Sequence, residues 1–368
     1  MNKRLFFLFI VVAVLTVLVT MRFTSHNNND IKIGMLLPQT GGAAFLGNMC
    51  KNAVDIAVEE INENGGVNGR KVTIIYGDNK NDAKEGIALF NKMKLDGIDI
   101  IITSMSGPTV PLKPLLADGK TLLFATNVST YKITEGTDWM FRLFVNAGAD
   151  AGRMAMFVMN ETDFKRIAVV AVNDEMGRSF ASVFTTRLKE KEDVKIVAED
   201  FFPIEERNFR EISSKMKELE PDAIYLVGYD SNLGLLTSQL RTSGIKSTFL
   251  SIGTIAQENV RKSAGSSIVG AYYTYVRYNP EAAKPASKAA KFVDKYKNRF
   301  GSIPTYFSAF SYDTIYLIWE SMRKVGTTPA AIKEALLTVN NYEGVIGPIS
   351  FAGKQDASFE MEIRKIGE

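Results

Sequence analysis

The sequence predicts an α/β protein made of two lobes, each built on a doubly wound parallel sheet. Short apolar segments typical of strands alternate with segments of helical periodicity, and this order gives βαβ units whose sheet is covered by helices. The alternation stops near Asn146 and then starts again. A chain of 368 residues is also long for a single domain, which favours two lobes over one large sheet.

A separate apolar segment precedes the first strand. Residues 5–21 carry no charge, Lys3 and Arg4 lie before them, and a polar stretch follows. This run is intermediate in length between a signal-peptide core and a membrane span of about 20 residues. Basic residues in front of such a run stay in the cytoplasm, which sends the rest of the chain across the membrane. We therefore expect residues 1–30 to be a signal peptide or an N-terminal membrane anchor. The globular part should be periplasmic or on the extracellular face of the cytoplasmic membrane.

The first run of alternation is predicted to form lobe one. Its strands are expected at 31–37, 72–76, 98–103 and 122–125. Apolar residues at helical spacing begin at Phe45 after the first strand and recur between Ile87 and Met93 after the second. Because each helix follows a strand and precedes the next, these segments predict parallel pairing.

The second run is predicted to form lobe two. Its strands are expected at 167–172, 195–201, 223–227, 249–252 and 271–276, and the helices between them at 180–188, 209–219 and 233–241. Two late helices are expected at 284–300 and 306–325. They could return the chain to lobe one, a question that periodicity alone leaves open.

Composition excludes several classes of function. There are 44 Lys and Arg against 41 Asp and Glu, a net charge of +3, so the concentrated basic excess of a nucleic-acid binder is absent. The single cysteine, Cys50, excludes an intrachain disulfide and a multi-cysteine metal site, and we expect no cofactor. The single histidine, His26, precedes the globular part, and no paired-carboxylate motif is present, so we do not expect an enzyme.

Three loops of lobe one are the first candidates for a ligand site. Ligands of open α/β sheets bind beyond the carboxyl ends of the strands. The loops 39–42, 104–109 and 126–130 follow the first, third and fourth strands and are rich in hydroxyls, glycine and amides. Helix capping explains such a loop when it stands alone, since Ser and Thr are common N-caps. Three of them at one sheet edge favour a binding cleft instead.

Five further segments, in order along the chain, carry a family resemblance. They are IKIGMLLPQTG at 31–41, AVEEINENGGVNGRKV at 57–72, LVGY at 226–229, SYD at 311–313 and GVIGPISF at 344–351. In these segments the sequence resembles the type I periplasmic substrate-binding proteins of ABC transporters, in the branched-chain amino-acid (Leu/Ile/Val) group. The resemblance extends from residue 31 to the end of the chain.

The resemblance implies a type I periplasmic binding fold, in which three crossovers form a hinge between the lobes. Lobe one would comprise 31–145 plus 278–352, and lobe two 146–277 plus 353–368. It also implies capture of a small carboxylate-bearing metabolite between the lobes and delivery to the permease of an ABC importer. The N-terminal segment would contact the membrane. A membrane-anchored receptor domain that senses the same ligand is the alternative.

The resemblance implies five ligand-binding residues in the loops of lobe one. The ligand carboxylate would be held by the loop that contains Met105, Ser106 and Gly107. Its ammonium group would be held by a carbonyl and a hydroxyl after the fourth strand, at Asn127 and Ser129.

Five more ligand-binding residues are implied outside those loops. Leu46 would cover the ligand from the first helix, Tyr306 would approach it from a late helix, and Tyr229 would contact it from lobe two. Met176 and Gly253 complete the set, at positions where amino-acid-binding members of the family have an aromatic and an acidic residue.

These last two positions leave the class of ligand open. A buried ammonium group without an opposite charge is strongly unfavourable, and Gly253 supplies none. Asp174 and Asp230 are the residues of lobe two that could substitute. The ligand is therefore expected to be a branched-chain or other amino acid, or alternatively an aromatic or aliphatic acid without an amine, or an amide.

Overall fold

The computed structural model describes residues 30–367, which form two large, mainly parallel sheets covered by helices and one small hairpin. The predicted signal peptide or anchor lies outside the described residues, apart from Asp30. Within 30–367, no helix combines the length and the apolar character needed to cross a membrane.

The first sheet follows the predicted alternation. Its strands are β1 (Ile31–Leu37), β2 (Val72–Asp78), β3 (Ile100–Thr103), β4 (Leu122–Thr126) and β5 (Met140–Leu143). All are parallel, in the order β2-β1-β3-β4-β5. The connecting helices are α1 (Ala44–Glu63), α2 (Ala83–Leu95) and the short α3 (Ser106–Thr109), which continues as a 3₁₀ helix over Val110–Leu116. Strands β3 and β4 are buried throughout, because helices cover both faces.

The second sheet is built in the same way. Its first strands are β6 (Arg166–Val172), β7 (Lys195–Phe202), β8 (Ala223–Val227), β9 (Thr248–Ser251) and β10 (Tyr272–Val276). The helices of this part are α4 (Ala147–Glu161), α5 (Glu175–Leu188), α6 (Arg210–Leu219), α7 (Asp230–Thr242) and α8 (Glu258–Ala264). Short 3₁₀ turns flank α8, at Gly253–Ala256 and Gly265–Ile268.

The last part of the chain touches both sheets. It contains a 3₁₀ turn (Pro280–Ala282), α9 (Lys288–Phe300), α10 (Tyr306–Val325), α11 (Pro329–Leu337), the hairpin β11 (Tyr342–Gly344) and β12 (Gly347–Ile349), and β13 (Met361–Lys365). Strand β13 pairs antiparallel with β10, which completes the second sheet in the order β13-β10-β9-β8-β6-β7.

The late helices pack against α1, which answers the question that periodicity left open. Helix α10 lies along α1, and the Tyr312 hydroxyl donates a 2.5 Å hydrogen bond to Glu60 of α1. The Trp319 indole donates to the carbonyl of Gly66 at 2.8 Å, and Arg299 of α9 pairs with Glu59 at 2.7 Å. We use "lobe one" for the first sheet with α1–α3 and α9–α11, and "lobe two" for the second sheet with α4–α8.

The predicted fold class is confirmed, and the predicted strands lie close to their positions in the structure. The sequence analysis did not predict β5, α4, α8, α11, β13 or the small hairpin. Helix α5 also begins earlier than the predicted 180–188, because the Asp174 side chain accepts a hydrogen bond from the Gly177 amide at 2.8 Å and caps the helix there.

Candidate functional site

A cavity of about 50 Å³ lies between the carboxyl ends of the two sheets. Lobe one contributes Leu46, Asn81, Met105, Ser106, Asn127, Ser129, Phe144, Val145, Tyr306 and Phe307. Lobe two contributes Asp150, Asp174, Met176, Phe180, Tyr229, Ile252 and Thr254. Most of these residues lie within three positions of the carboxyl end of a strand, which is where open α/β sheets bind ligands.

Eight of the ten sequence-predicted ligand residues line this cavity, namely Leu46, Met105, Ser106, Asn127, Ser129, Met176, Tyr229 and Tyr306. Gly107 and Gly253 do not. A Cβ built on Gly107 would lie 3.7 Å from the carbonyl and side-chain oxygens of Asn81. A Cβ built on Gly253 would lie 2.9 Å from the Tyr306 hydroxyl, so Gly253 lies beside that hydroxyl. Ligand contact itself stays a prediction for all ten.

One of the three candidate loops does not reach the cavity, contrary to expectation. Loop 39–42 is held against its own lobe by Asp78, which accepts hydrogen bonds from the Gln39 amide at 2.8 Å and from the Thr40 hydroxyl at 2.6 Å. Leu46, in the first turns of α1, takes its place at the cavity wall. Loops 104–109 and 126–130 do contribute lining residues, as predicted.

The serine loop of lobe one presents an unpartnered hydroxyl. Ser106 is 4% exposed, and its Oγ has no hydrogen-bond partner. The preceding Met105 has φ 73° and ψ 142°, a conformation that costs a non-glycine residue roughly 1–3 kcal/mol. The Thr109 hydroxyl holds this turn by donating to the Met105 carbonyl at 2.6 Å. Strain of this kind is retained where surrounding structure fixes a functional group.

Asn127 presents an unpartnered acceptor to the same cavity. Its Nδ2 faces the Cys50 Sγ at 3.1 Å, the Ser311 Oγ at 2.8 Å and the Phe307 carbonyl at 3.3 Å. These contacts fix the amide, and its Oδ1 is buried without a partner. Asn127 has φ 56°, a left-handed conformation that asparagine tolerates better than most residues. Burial raises the pKa of Cys50 to about 11, so the thiol stays neutral behind this amide.

Asp150 is a cavity residue that the sequence analysis missed. It lies in the first turns of α4, is 4% exposed, and accepts a hydrogen bond from the Thr274 hydroxyl of β10. Burial raises the pKa of the Asp150 carboxyl to about 7, against the opposing effect of that hydrogen bond. The available signal was an acidic residue within the otherwise small and apolar segment 147–152.

A hydrogen-bonded chain crosses the cavity from one lobe to the other. The Asn81 amide of lobe one donates to the Tyr229 hydroxyl at 3.1 Å, and that hydroxyl donates to Asp174 Oδ2 at 2.6 Å. Burial raises the pKa of Asp174, and burial together with the Asp174 charge raises the pKa of Tyr229. The other sequence candidate for an acidic partner, Asp230, does not line the cavity and accepts from Asn259 at 2.5 Å.

An aromatic cluster closes one side of the cavity. Tyr306 stacks on Phe307 and Phe144, with ring centroids 4.3 and 6.0 Å apart, and meets Tyr275 of lobe two edge-on at 5.2 Å. Because Gly253 has no side chain, the Tyr306 hydroxyl can approach the turn after β9. The two lobes are therefore in contact through rings as well as through hydrogen bonds.

The cavity lining contains acidic residues but no basic ones. In the described part of the chain, Asp150 and Asp174 line the cavity, whereas no lysine, arginine or histidine does so. No group of three or more His, Cys, Asp or Glu residues within 30–367 is arranged to hold a metal ion. The lining thus combines two carboxylates, unpartnered neutral groups and apolar side chains, which suits capture of a small polar molecule.

Comparison with known proteins identifies the family. A periplasmic binding protein family model matches residues 30–364. The chain is 27% identical over 345 residues to Leu/Ile/Val-binding protein homolog 3 of Brucella melitensis, and the alignment covers 92% of each protein.

Two solved structures share the fold. LivJ is the branched-chain amino acid transporter substrate binding protein of Streptococcus pneumoniae, solved with isoleucine. It superimposes with a TM-score of 0.81 at 22% identity, over 92% of this chain and 97% of that one. A solute binding protein of an ABC transporter from Rhodopseudomonas palustris, solved with 3,4-dihydroxybenzoic acid, superimposes with a TM-score of 0.79 at 22% identity, over 91% and 93% of the two chains. With the family match spanning nearly all described residues, this chain belongs to the periplasmic binding protein family.

Proposed function

We propose that this protein captures a small carboxylate-bearing metabolite outside the cytoplasmic membrane and delivers it to the permease of an ABC importer. The cavity between the lobes, with its unpartnered Ser106 Oγ and Asn127 Oδ1, is the observation that carries the proposal. A buried polar group without a partner costs about 1–3 kcal/mol, so a ligand that supplies both partners gains that free energy on binding. Membership of a family of solute-binding proteins supports the same role.

An amino acid with an aliphatic side chain is the favoured ligand. The Brucella relative is named for leucine, isoleucine and valine, and the Streptococcus protein was solved with isoleucine. Leu46, Phe180 and Ile252 offer apolar surface for such a side chain. An amine-free acid or an amide is the second candidate, which the Rhodopseudomonas complex with 3,4-dihydroxybenzoic acid favours.

Binding would operate by closure of the two lobes. We place lobe one at 31–145 plus 278–352 and lobe two at 146–277 plus 353–368, a division supported by the pairing of β13 with β10. A ligand that touches both lobes only when they are closed shifts the population towards the closed form. Micromolar affinity corresponds to about −8 kcal/mol, and the permease would recognise the closed shape.

The ligand would be released unchanged. His26, the only histidine of the chain, lies before the described residues, and the cavity carboxylates are engaged by Thr274 and Tyr229. The N-terminal segment 1–30 would direct export to the periplasm or the outer face of the cytoplasmic membrane, where it would contact the membrane. If it is retained as an anchor, a ligand-sensing receptor is the alternative role.

A thermal-shift screen tests the proposed function. The purified exported protein is heated with leucine, isoleucine and valine, and with aromatic and aliphatic acids of similar size. A ligand that binds only the folded state raises the free energy of unfolding by mass action, by about 2.7 kcal/mol at one hundred times the Kd, and so raises the unfolding midpoint. We expect at least one amino acid to raise it. A midpoint unmoved by every compound would contradict the proposal.

A further inference from the structure

We propose that Arg142 is a positioning residue, which ties the ligand loop 126–130 to the chain segments that cross between the lobes. The inference rests on the proposed function and deepens it, because it gives a residue outside the cavity the task of holding Asn127 and Ser129. Arg142 lies on β5, the last strand before the chain first crosses to lobe two. Later crossovers follow β10 and β12.

The guanidinium of Arg142 is buried and joins two distant parts of the chain. Arg142 is fully buried, with 0% exposure. Its Nε donates to Asp356 Oδ1 at 2.7 Å, its Nη2 donates to Oδ2 of the same carboxylate, and its Nη1 donates to the Thr130 carbonyl at 2.5 Å. A guanidinium carries its donors in a rigid planar fork, and a buried charge is costly without its partners. Arg142 therefore fixes Thr130 and Asp356 relative to each other.

The carboxylate partner belongs to the last crossover. Asp356 lies between β12 and β13, and β13 pairs with β10 in the sheet of lobe two. The main chain of this crossover runs beside β5, because the Arg142 amide donates to the Gln355 carbonyl at 2.7 Å and the Ala357 amide donates to the Arg142 carbonyl at 3.1 Å. A rotation of lobe two would therefore act on a segment that Arg142 holds with both its main chain and its side chain.

The carbonyl partner belongs to the ligand loop. Thr130 directly follows Ser129, which lines the cavity. The Ser129 carbonyl accepts from the Ala147 amide at 2.7 Å, and Ala147 is the first residue of α4 in lobe two. The loop is thus bonded to the chain beyond the first crossover through Ala147, and to the last crossover through Arg142. A ligand that orders this loop would act on two of the three crossovers.

A second ion pair of lobe one provides a matched control. Lys94 donates to Asp118 at 2.8 Å and to the Leu115 carbonyl at 3.3 Å, so it also joins one carboxylate and one main-chain carbonyl. The Asp118 side chain is 40% exposed and that of Asp356 is 26% exposed, so both carboxylates reach solvent. Lys94 and Asp118 join α2 to the turn before β4, and neither lines the cavity.

Hydrogen exchange resolved by segment tests the proposal in the empty protein. Asp356→Asn keeps one oxygen acceptor for Arg142 but removes the charge that the fork binds. Although Asp356 is joined to the ligand loop only through Arg142, amides of both 126–130 and 353–360 should exchange about tenfold faster in this variant. The control variant, Asp118→Asn, should leave both segments at the wild-type rate.

Leucine is the probe for the effect on binding. Isothermal titration should give about tenfold weaker leucine binding in Asp356→Asn and unchanged binding in Asp118→Asn. In the wild type, leucine should slow exchange at 353–360, although this segment does not line the cavity.

A second variant separates the two ends of the connection. Arg142→Lys keeps the charge, but its single ammonium group lacks the planar fork that holds both partners at once. In this variant leucine should still slow exchange at 126–130, while its effect at 353–360 should disappear. Unfolding midpoints of the empty variants establish that each is folded, and Asp356→Asn serves for the same comparison if the buried lysine prevents folding.

The outcomes distinguish the two proposals. If Asp356→Asn leaves exchange at 126–130 unchanged, or raises exchange equally throughout the chain, the positioning role of Arg142 is overturned while the solute-binding function stands. Wild-type leucine affinity in both Asp356→Asn and Arg142→Lys would overturn it as well. If no compound in the thermal-shift screen binds, the proposed function is overturned, whereas exchange in the empty protein still decides whether Arg142 holds the loop.

Discussion

Lobe one meets the cavity with neutral polar groups, whereas lobe two meets it with carboxylates. Both lobes use the same position, the carboxyl ends of parallel strands. Lobe one presents Ser106, Asn127 and Ser129 from loops that follow β3 and β4, and lobe two presents Asp150 and Asp174 from the starts of α4 and α5.

This difference explains how one ligand can hold the lobes together. Hydrogen bonds to neutral groups orient a ligand, while a buried carboxylate gains most from a cation. A zwitterion can satisfy the hydroxyl on one side and the charge on the other only when both lobes surround it. The ligand would therefore stabilise closure through two kinds of interaction, which can be removed separately.

Removing a neutral hydrogen-bonding group of lobe one should have the largest effect on leucine affinity. We expect Ser106→Ala to weaken leucine by about 2 kcal/mol, or roughly 30-fold, because a hydrogen bond to a charged group is lost. Titration calorimetry measures this, and the unfolding midpoint of the empty protein should stay level or rise, since a buried hydroxyl without a partner disappears.

Ser213→Ala is the matched control for this variant. Ser213 is also buried with an unpartnered Oγ, but it lies on α6, away from the cavity. It should leave leucine affinity unchanged. Equal losses of affinity in the two variants would show that the Ser106 effect arises from packing and not from the ligand.

Changing the pH should titrate the Asp150 carboxyl of lobe two. The pKa of Asp150 is raised by burial from 3.8 to about 7, and a bound ammonium group would lower it, so leucine should bind more tightly as the carboxyl ionises. Below pH 7 the affinity should fall by about tenfold per pH unit. Asp174 also has a raised pKa, so the dependence assigned to Asp150 is the part that Asp150→Asn abolishes.

In the empty protein, ionisation of the Asp150 carboxyl should have the opposite effect, because it lowers the stability of the fold. A carboxyl whose pKa is higher when folded stabilises the fold below its ordinary value of 3.8, and that contribution is lost as pH rises through about 7. Unfolding midpoints between pH 4 and 8 should therefore fall less steeply in Asp150→Asn than in the wild type. Identical slopes would mean that Asp150 does not titrate in this range.

For the polar and charged residues of the cavity, the sequence was more informative about lobe one than about lobe two. The loops that hold Ser106 and Asn127 follow strands with clear apolar runs, so their position at the sheet edge could be predicted. Asp150 could not be found in this way. Helix α4 begins AGADAG, and small residues give weak helical periodicity even though Ala147 and Ala151 are fully buried.

Contacts between the lobes could not be predicted from the sequence, for a different reason. Asn81 and Tyr229 are 148 residues apart, and no local pattern states that they meet. Their contact depends on how the lobes close, which is set by many packed residues at once. For the same reason the sequence could not show that the Tyr306 hydroxyl of lobe one lies beside Gly253, 2.9 Å from a Cβ built there.

Cutting the hydrogen-bonded chain between the lobes should have the smallest effect. Tyr229→Phe removes the bonds to Asn81 and Asp174, and we expect leucine to weaken by about 1 kcal/mol, or roughly fivefold. Tyr225→Phe is the matched control, because the Tyr225 hydroxyl is also buried but has no partner. Since the bond between Tyr229 and Asn81 joins the two lobes, the loss should appear as faster ligand dissociation in stopped-flow experiments. A change confined to the association rate would argue that Tyr229 acts before closure, not on the closed state.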